Sequence, residues 1–183
     1  VVEKLKKIYP EIDKSDPIVK DILYKVKEME SQGYQFEVAD GSFRLLAKKI
    51  KGDYAEPFTI QGYRVIEEKR NGGEPYSEAT IKVFANDKVV HTAAEGDGPV
   101  NALDNAIRKA LTKFYPQLAD VHLKNFKVIV IEGDSGTSSK VRVTIESSDG
   151  NEVWGTVGVS ENIIEASWIA LIDSINYKLM KES

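Results

Sequence analysis

The chain has 183 residues, a formal net charge of −4 and a hydrophobic fraction of 42%. This length suits one domain with a hydrophobic core and a small appendage, and the acidic balance argues against a nucleic-acid-binding surface. The sequence contains no cysteine, which excludes disulfides and thiolate chemistry and favours a cytoplasmic protein, and no apolar run is long enough to span a membrane.

Helical patterns occupy residues 1–54, which we predict to form a small helical subdomain. Asp16 and Pro17 are a helix start signal, because a capping oxygen precedes a proline whose missing N–H costs nothing in the first turn. Gly33 and Gly52 are predicted to end two successive helices. The predicted buried residues are Ile18, Ile22, Val26 and Met29 in the first helix, and Phe43, Leu46 and Ile50 in the second. A DNA-binding helix-turn-helix is disfavoured, because the spacer between the helices is too long.

The rest of the chain contains an internal repeat of strand-like and helical patterns. Residues 60–66 (IQGYRVI) recur as residues 123–129 (LKNFKVI). Each copy continues with a glycine-bearing turn, an alternating run, a third run and a helix. These segments are Gly73, 79–83, a run ending at Glu95 and 99–111 in the first copy, and Gly136, 141–145, a run ending at Val159 and 163–175 in the second. Such a repeat is one supersecondary unit written twice, and one unit cannot bury its apolar face alone.

The predicted fold class is therefore α+β, with two βββα units related by a pseudo-twofold axis after the helical subdomain. The units span residues 55–116 and 117–183 and together form a second domain, 55–183. Each sheet has one apolar face, as a helix-covered antiparallel sheet requires. The residues predicted to be buried on the sheets are Ala79, Ile81, Val83, Val141, Val143 and Ile145. Those predicted on the covering helices are Val100, Leu103, Ile107, Leu111, Trp168, Leu171, Ile172, Ile175 and Leu179.

The strongest local signal is the glycine loop, residues 95–102 (EGDGPVNA), which joins the third run to the helix in the first copy. Gly96 and Gly98 are expected to adopt backbone conformations that other residues avoid, and Pro99 suits the first helical position. The N–H groups and the positive dipole end of the helix favour a bound phosphate or carboxylate. A tight strand-to-helix turn without a ligand is the alternative. The loop matches neither a Walker-type loop nor a dinucleotide fingerprint.

The second copy replaces this loop with a turn that caps itself. Asn162 stands where Gly98 stands in the first copy, and with Glu165 it is typical of a capping box. A helix end that is capped by its own side chains has less capacity for a ligand. The difference between the copies therefore favours a ligand at the glycine loop.

No combination of residues predicts catalysis or metal binding within this chain. His91 and His122 are the only histidines, and neither has a partner at metal-ligand spacing. Glu67 and Glu68 are predicted to be solvated surface residues, and no serine lies in a nucleophile-elbow pattern. The small residues of the run 154–159 (WGTVGV) predict close packing of a strand against a helix. A stand-alone enzyme is therefore the least favoured function.

Three motifs resemble the C-terminal regulatory domain of the 2-isopropylmalate, citramalate and homocitrate synthases. They are residues 95–103 (EGDGPVNAL), 154–159 (WGTVGV) and 160–163 (SENI). Residues 34–43 (YQFEVADGSF) resemble the accessory linker of the citramalate-type members. Together these segments extend the resemblance over nearly the whole chain, with the motifs in the family's order.

This resemblance implies a parent enzyme with an N-terminal (β/α)8 catalytic barrel that condenses acetyl-CoA with a 2-oxo acid. The chain begins at Val1 without a methionine, so we expect the regulatory portion of such an enzyme without its barrel. We expect no cofactor in this portion, while the parent uses a divalent metal and acetyl-CoA. The resemblance further implies a homodimer that binds the end-product amino acid of the pathway. Isoleucine is the effector of the citramalate type and leucine that of the isopropylmalate type.

The expected function is isoleucine feedback inhibition of a citramalate-synthase-like enzyme through an amino-acid-binding dimerisation domain. The resemblance puts the effector at the glycine loop and the first strand of the second unit. The expected effector residues are Gly96, Asp97, Gly98, Pro99, Val100, Asn101, Leu123, Phe126 and Val130. The helix start takes the carboxylate, Asp97 balances the ammonium, and the apolar residues enclose the side chain. Burial of that side chain is worth roughly 2–3 kcal/mol, which discriminates weakly between leucine and isoleucine. A leucine-sensing domain of 2-isopropylmalate synthase and a ligand-free dimerisation module are the alternatives.

Overall fold

The computed structural model describes residues 1–131 and 139–181, so the predicted turn at Gly136 lies outside the described residues. The chain begins with three helices, which are α1 (Val2–Ile8), α2 (Pro17–Ser31) and α3 (Asp40–Lys51). The Asp16 carboxylate accepts a hydrogen bond from the N–H of Ile18 at 3.1 Å, which confirms the predicted cap of α2.

Two βββα units follow the helices and confirm the predicted α+β class. The first unit contains β1 (Thr59–Glu68), β2 (Tyr76–Ala85), β3 (Lys88–Gly96) and α4 (Pro99–Leu111). After a short 3-10 helix (Pro116–Asp120), the second unit contains β4 (His122–Ile131), β5 (Lys140–Ser148), β6 (Val153–Ser160) and α5 (Ile163–Lys181). Each unit has one antiparallel sheet, with the middle strand of the three at its centre. Helix α5 continues past the predicted end at residue 175.

The two units share an irregularity in strand pairing. The register of β1 against β2 shifts between Ile60 and Gly62, and that of β4 against β5 shifts between Leu123 and Asn125. These positions correspond in the repeated heptapeptide. A register shift bends a strand and is a specific feature of a backbone, so its recurrence supports a duplicated unit.

The main hydrophobic core lies between the sheets and the helices α4 and α5. Its fully buried strand residues include Ala79, Ile81, Val83, Val143 and Ile145, all of which were predicted. Val141 is only partly buried. Tyr63 on β1 packs against Trp168 on α5 with ring centroids 4.8 Å apart, so the first sheet contacts the helix of the second unit.

Helix α3 belongs to two cores at once. Phe43 and Ala47 contribute to the cluster of the helical subdomain, whereas Leu45 contributes to the main core. Leu46 and Ile50, which the sequence pattern assigned to the buried face, pack against the helical cluster but are only partly buried. One hydrophobic stripe does not describe this helix, because it is covered on two sides.

Strand β6 is approached closely on both faces. A Cβ on Gly158 would collide with the carbonyl oxygen of Ala166 on α5, which confirms the predicted close packing against a helix. A Cβ on Gly155 would collide with the carbonyl oxygen of Val38, in the link before α3. Residues three apart in a strand face opposite sides, so the helical subdomain covers the face of β6 that α5 leaves open.

Candidate functional site

The glycine loop forms one wall of a cleft of about 780 Å³ at the end of β3. The predicted residues that line this cleft are Gly96, Asp97, Gly98, Pro99 and Asn101. The lining residues that the sequence pattern missed are Glu67, Glu74, Pro75, Tyr76, Glu95 and Asn105. Glu95 belongs to the loop segment itself, at the end of β3, whereas the other five come from β1, from the turn before β2 and the start of β2, and from α4. Folding brings Glu67, Glu74, Pro75 and Tyr76 to the loop.

Two asparagines of α4 hold the loop in place. The side-chain oxygen of Asn101 accepts a hydrogen bond from the N–H of Asp97 at 3.0 Å. The amide of Asn105 donates to the carbonyl oxygen of Glu95 at 2.9 Å. Among the described residues, no side chain caps the start of α4 at Gly98. Because Pro99 has no N–H, the first-turn donors without a partner within the helix are the N–H groups of Val100 and Asn101, which suit an anion.

The two glycines of the loop have a different role from the one predicted. Gly98 is extended, with φ −168° and ψ 174°, a conformation that any residue adopts, and Gly96 is not among the glycines with positive φ. The expectation of special backbone conformations was therefore wrong. Gly96 is required for another reason, because a Cβ there would collide with the backbone nitrogen of Ala102. At Gly98 a Cβ would meet no atom within 4 Å.

The cleft is strongly acidic. Four carboxylates line it, and the described lining residues include no lysine, arginine or histidine. Tyr76 donates a hydrogen bond to Glu95 at 2.8 Å, which raises the pKa of Tyr76 to about 12. Glu67 was expected to be plain solvated surface, yet it both lines the cleft and accepts a hydrogen bond from Ser77. This arrangement suits a ligand that presents an ammonium to the carboxylates.

The predicted apolar residues lie outside this cleft. Val100 and Leu123 are partly buried and pack against the main core. Phe126 and Val130 are 40% and 60% exposed on β4. Phe126 pairs with the fully buried Ile145, and directly paired residues share a face of an antiparallel sheet.

Phe126 and Val130, with Val128 between them, form the β4 stripe. All three side chains are more than a third exposed, because on this face of the second sheet α5 packs mainly against β5 and β6. The stripe is therefore an apolar surface at the edge of the core.

The matching loop of the second unit is capped as predicted, but not by a reciprocal capping box. The side chain of Asn162 accepts hydrogen bonds from the N–H groups of Ile164 at 2.8 Å and Glu165 at 3.2 Å. Glu165 does not complete the box, since it accepts a hydrogen bond from Tyr63. The N–H of Asn162 donates instead to Ser160 at 3.1 Å.

The described part of the chain contains no group of three or more histidine, aspartate and glutamate side chains positioned to hold a metal ion. Within residues 1–131 and 139–181, no helix is both long enough and apolar enough to cross a membrane.

Comparison with known proteins identifies a family. Residues 37–179 match the model of the LeuA allosteric (dimerisation) domain, and this match begins before β1 and includes α3. The chain is 53% identical over 182 residues to an (R)-citramalate synthase of Geobacter sulfurreducens, covering 99% of the chain and 34% of the relative. It is 51% identical over 183 residues to an (R)-citramalate synthase of Aquifex aeolicus, covering 100% of the chain and 35% of the relative.

A more distant relative is a 2-isopropylmalate synthase of Clostridium kluyveri, 28% identical over 165 residues, with 90% of the chain and 29% of the relative covered. The chain spans about a third of the length of these relatives. The family match covers most of the chain, and the two citramalate synthases match it over its whole length. The chain therefore belongs to the LeuA allosteric (dimerisation) domain family.

Proposed function

We propose that this chain binds a branched-chain amino acid at the glycine-loop cleft and conveys its presence to a citramalate-synthase-like enzyme as feedback inhibition. The observation that carries the proposal is the joint presence of an uncapped helix start and four carboxylates in one cleft. A free amino acid has a carboxylate for the N–H groups of α4 and an ammonium for the acidic wall. A simple phosphate or carboxylate could bind to the N–H groups of α4, but it has no ammonium for the acidic wall.

In our proposal, a second copy of the chain supplies the apolar wall of this site. Phe126 and Val130 do not line the cleft of their own chain, and both are exposed on the β4 stripe. A homodimer that brings the β4 stripe of one copy to the glycine loop of the other would complete the pocket and cover an exposed apolar surface. Effector binding and pairing would then share one interface.

The parent enzyme follows from the named relatives. We propose that the remaining two thirds of such a protein carries the catalytic barrel, the divalent metal and the acetyl-CoA site, and that the whole enzyme is cytoplasmic.

In this chain, the link between sheet and barrel is the helical subdomain. Helix α3 contributes Leu45 to the main core and Phe43 to the helical cluster. A movement of the second domain, residues 55–183, would therefore be transmitted directly to helices α1–α3 of the helical subdomain. Effector and substrate affinities would change each other by the same factor.

Isoleucine is the effector we propose, because the two relatives of highest identity described above are named (R)-citramalate synthase. Leucine remains the alternative, since a 2-isopropylmalate synthase is also a relative. Titration calorimetry of the 183-residue chain with isoleucine, leucine and valine tests both. We expect heat with isoleucine and at least about tenfold weaker binding of the others, a difference of about 1.4 kcal/mol. Tighter binding of leucine than of isoleucine would make leucine the effector.

A substitution tests the location of the site. Gly98→Val adds a side chain where a Cβ meets no atom, so it should occupy the cleft without straining the fold and should weaken isoleucine binding by at least about a hundredfold, or about 2.7 kcal/mol. Gly62→Val is the matched control, because a Cβ at Gly62 also meets no atom and lies outside the cleft. Equal affinity in both variants would move the site elsewhere. Self-association without heat from any amino acid would instead support a ligand-free dimerisation module.

A further inference from the structure

A small cavity of about 150 Å³ lies between the helical subdomain and α5. Its apolar wall comes from the end of α2, the link between α2 and α3, α3 itself and α5. The apolar residues that line it are Met29, Tyr34, Phe36, Leu45, Leu46 and Ile169. The cavity shares no lining residue with the glycine-loop cleft, so it is a separate feature of the molecule.

The polar part of the wall is formed where α3 contacts α5. Ser42 of α3 donates a hydrogen bond to Asp173 of α5 at 2.6 Å, and both residues line the cavity. Ile169 precedes Asp173 by one helical turn, and Leu45 follows Ser42 by one turn. A small molecule that spans one turn can therefore contact the carboxylate and the apolar wall at the same time.

The charges around the cavity favour a neutral ligand. Asp173 and Lys49 are the charged side chains among the described residues that line it. For a charged ligand, attraction to one of these groups is offset by repulsion from the other, while the loss of its own hydration remains as a cost. A neutral ligand avoids that cost.

The carboxylate of Asp173 can accept a hydrogen bond from such a ligand. A carboxylate has about four acceptor positions, and the hydrogen bond from Ser42 uses one of them. Burial raises the pKa of Asp173 to about 6, as expected where few water molecules hydrate the carboxylate. A hydroxyl group that donates to this carboxylate forms a charge-assisted hydrogen bond.

The size of the cavity limits the rest of the ligand, since an apolar cavity of about this volume holds one benzene-sized molecule. We propose that the cavity binds a small neutral molecule with one hydroxyl group and an apolar body no larger than a benzene ring. The hydroxyl group donates to Asp173, and the apolar body contacts Met29, Phe36 and Leu46. Because these residues belong to both the helical subdomain and α5, the bound molecule holds the subdomain against the second unit.

The two methionines of the chain make the proposal measurable by NMR of their methyl groups. Met29 lines the cavity, whereas Met180 packs against the main core and does not line it. Titration with phenol, which is neutral at pH 7.5, should shift the methyl signal of Met29 saturably and leave that of Met180 in place. A Met29→Leu variant assigns the two signals. Butylamine, which is charged at this pH, should bind at most a tenth as tightly as 1-butanol, which has the same number of heavy atoms.

A variant tests whether the hydroxyl group of the ligand donates to the carboxylate. Asp173→Asn should weaken phenol binding by about tenfold, as expected when a hydrogen bond loses its charged acceptor. The same variant should leave the binding of toluene unchanged, because toluene has a methyl group in place of the hydroxyl. Glu161→Gln makes the same change of charge at an exposed residue outside the cavity and should bind phenol like the parent.

Gly98→Val, in the glycine-loop cleft, should also leave phenol binding intact, so failure of the effector proposal and failure of this one are distinguishable. Three results would overturn the proposal. They are a Met29 signal that does not move with phenol, an equal effect of Asp173→Asn on phenol and toluene, and binding of butylamine as tight as that of 1-butanol.

Discussion

Gly96 and Gly98, although two residues apart, differ in what they tolerate. Gly96→Ala should destabilise the chain by about 1–3 kcal/mol, the usual cost of overpacking, because its Cβ would collide with the backbone of α4 at Ala102. Gly98→Ala should change the unfolding free energy by no more than about 0.5 kcal/mol, since its backbone is extended and its Cβ position is open. Urea unfolding of both variants measures the difference. Equal costs would contradict the assigned loop geometry.

Asp173 makes the stability of the chain depend on pH. Burial raises the pKa of this carboxyl from 3.8 to about 6, while the hydrogen bond from Ser42 and the charge of Lys49 act in the opposite direction. The hydroxyls of Tyr34 and Tyr54 also lie within electrostatic range. The folded state holds the proton more tightly than the unfolded state. The loss of stability that comes from ionising Asp173 is therefore absent below pH 3.8 and increases as the pH rises to about 6.

Asp173→Asn removes this loss. The variant should exceed the parent in unfolding free energy by on the order of 2 kcal/mol above pH 6 and equal it below pH 4, by urea unfolding across that range. Asp149→Asn is a control of opposite sign. The hydrogen bond from Lys178, at 2.9 Å, holds the pKa of Asp149 well below its usual range. That variant should be less stable than the parent at pH 7, with a gap that closes on acidification.

The helices and strands are connected by a polar contact between α3, β6 and α5. Ser42 is buried, accepts a hydrogen bond from the N–H of Val157 at 3.0 Å and donates to Asp173. Asp40 similarly accepts from the N–H of Gly155 at 3.2 Å. The start of α3 thereby covers the free edge of β6, which would otherwise present unpaired N–H groups.

Removing one of these hydrogen bonds to the edge of β6 should destabilise the chain. Ser42→Ala leaves the N–H of Val157 without its partner and should lower the unfolding free energy by about 1–3 kcal/mol. Amide hydrogen exchange at Val157 should accelerate in the same variant. Ser31→Ala is the matched control, because Ser31 is exposed at the end of α2 and its loss should cost no more than about 0.5 kcal/mol. An equally protected Val157 amide would show that the edge is held by other contacts.

Element boundaries were well predicted where the signal is local. The proline start and the leucine end of α4 agree with the predicted 99–111, and the cap of α2 lies at Asp16. Helix α5 extends to Lys181, past the end at residue 175 that the repeat gave, whereas Leu179 was already predicted on its apolar stripe and is buried. The double role of α3 was missed, because the pattern of Leu45 and Leu46 alone does not say which neighbour covers which side.

Across the chain as a whole, the β4 stripe is the apolar surface that our dimer proposal uses. Val130→Lys places a charge on a side chain that is 60% exposed, so it should leave the unfolding temperature unchanged and weaken self-association by at least about tenfold, or 1.4 kcal/mol. Sedimentation equilibrium measures the association. Tyr24→Lys, at a side chain that is 74% exposed on α2, is the control and should associate like the parent. Equal association of the two variants would place the interface elsewhere.

The amino-acid sequence by itself determined the repeat, the order of the elements and the position of the glycine loop. These depend on spacing along the chain, which controls backbone conformation and the face that each residue presents. Only the tertiary structure decided that Glu67 and Glu74 lie at that loop, that Phe126 and Val130 remain exposed, and that Asp173 is desolvated beside α3. Those features arise from packing between segments far apart in the chain, and local periodicity does not predict which segments become neighbours.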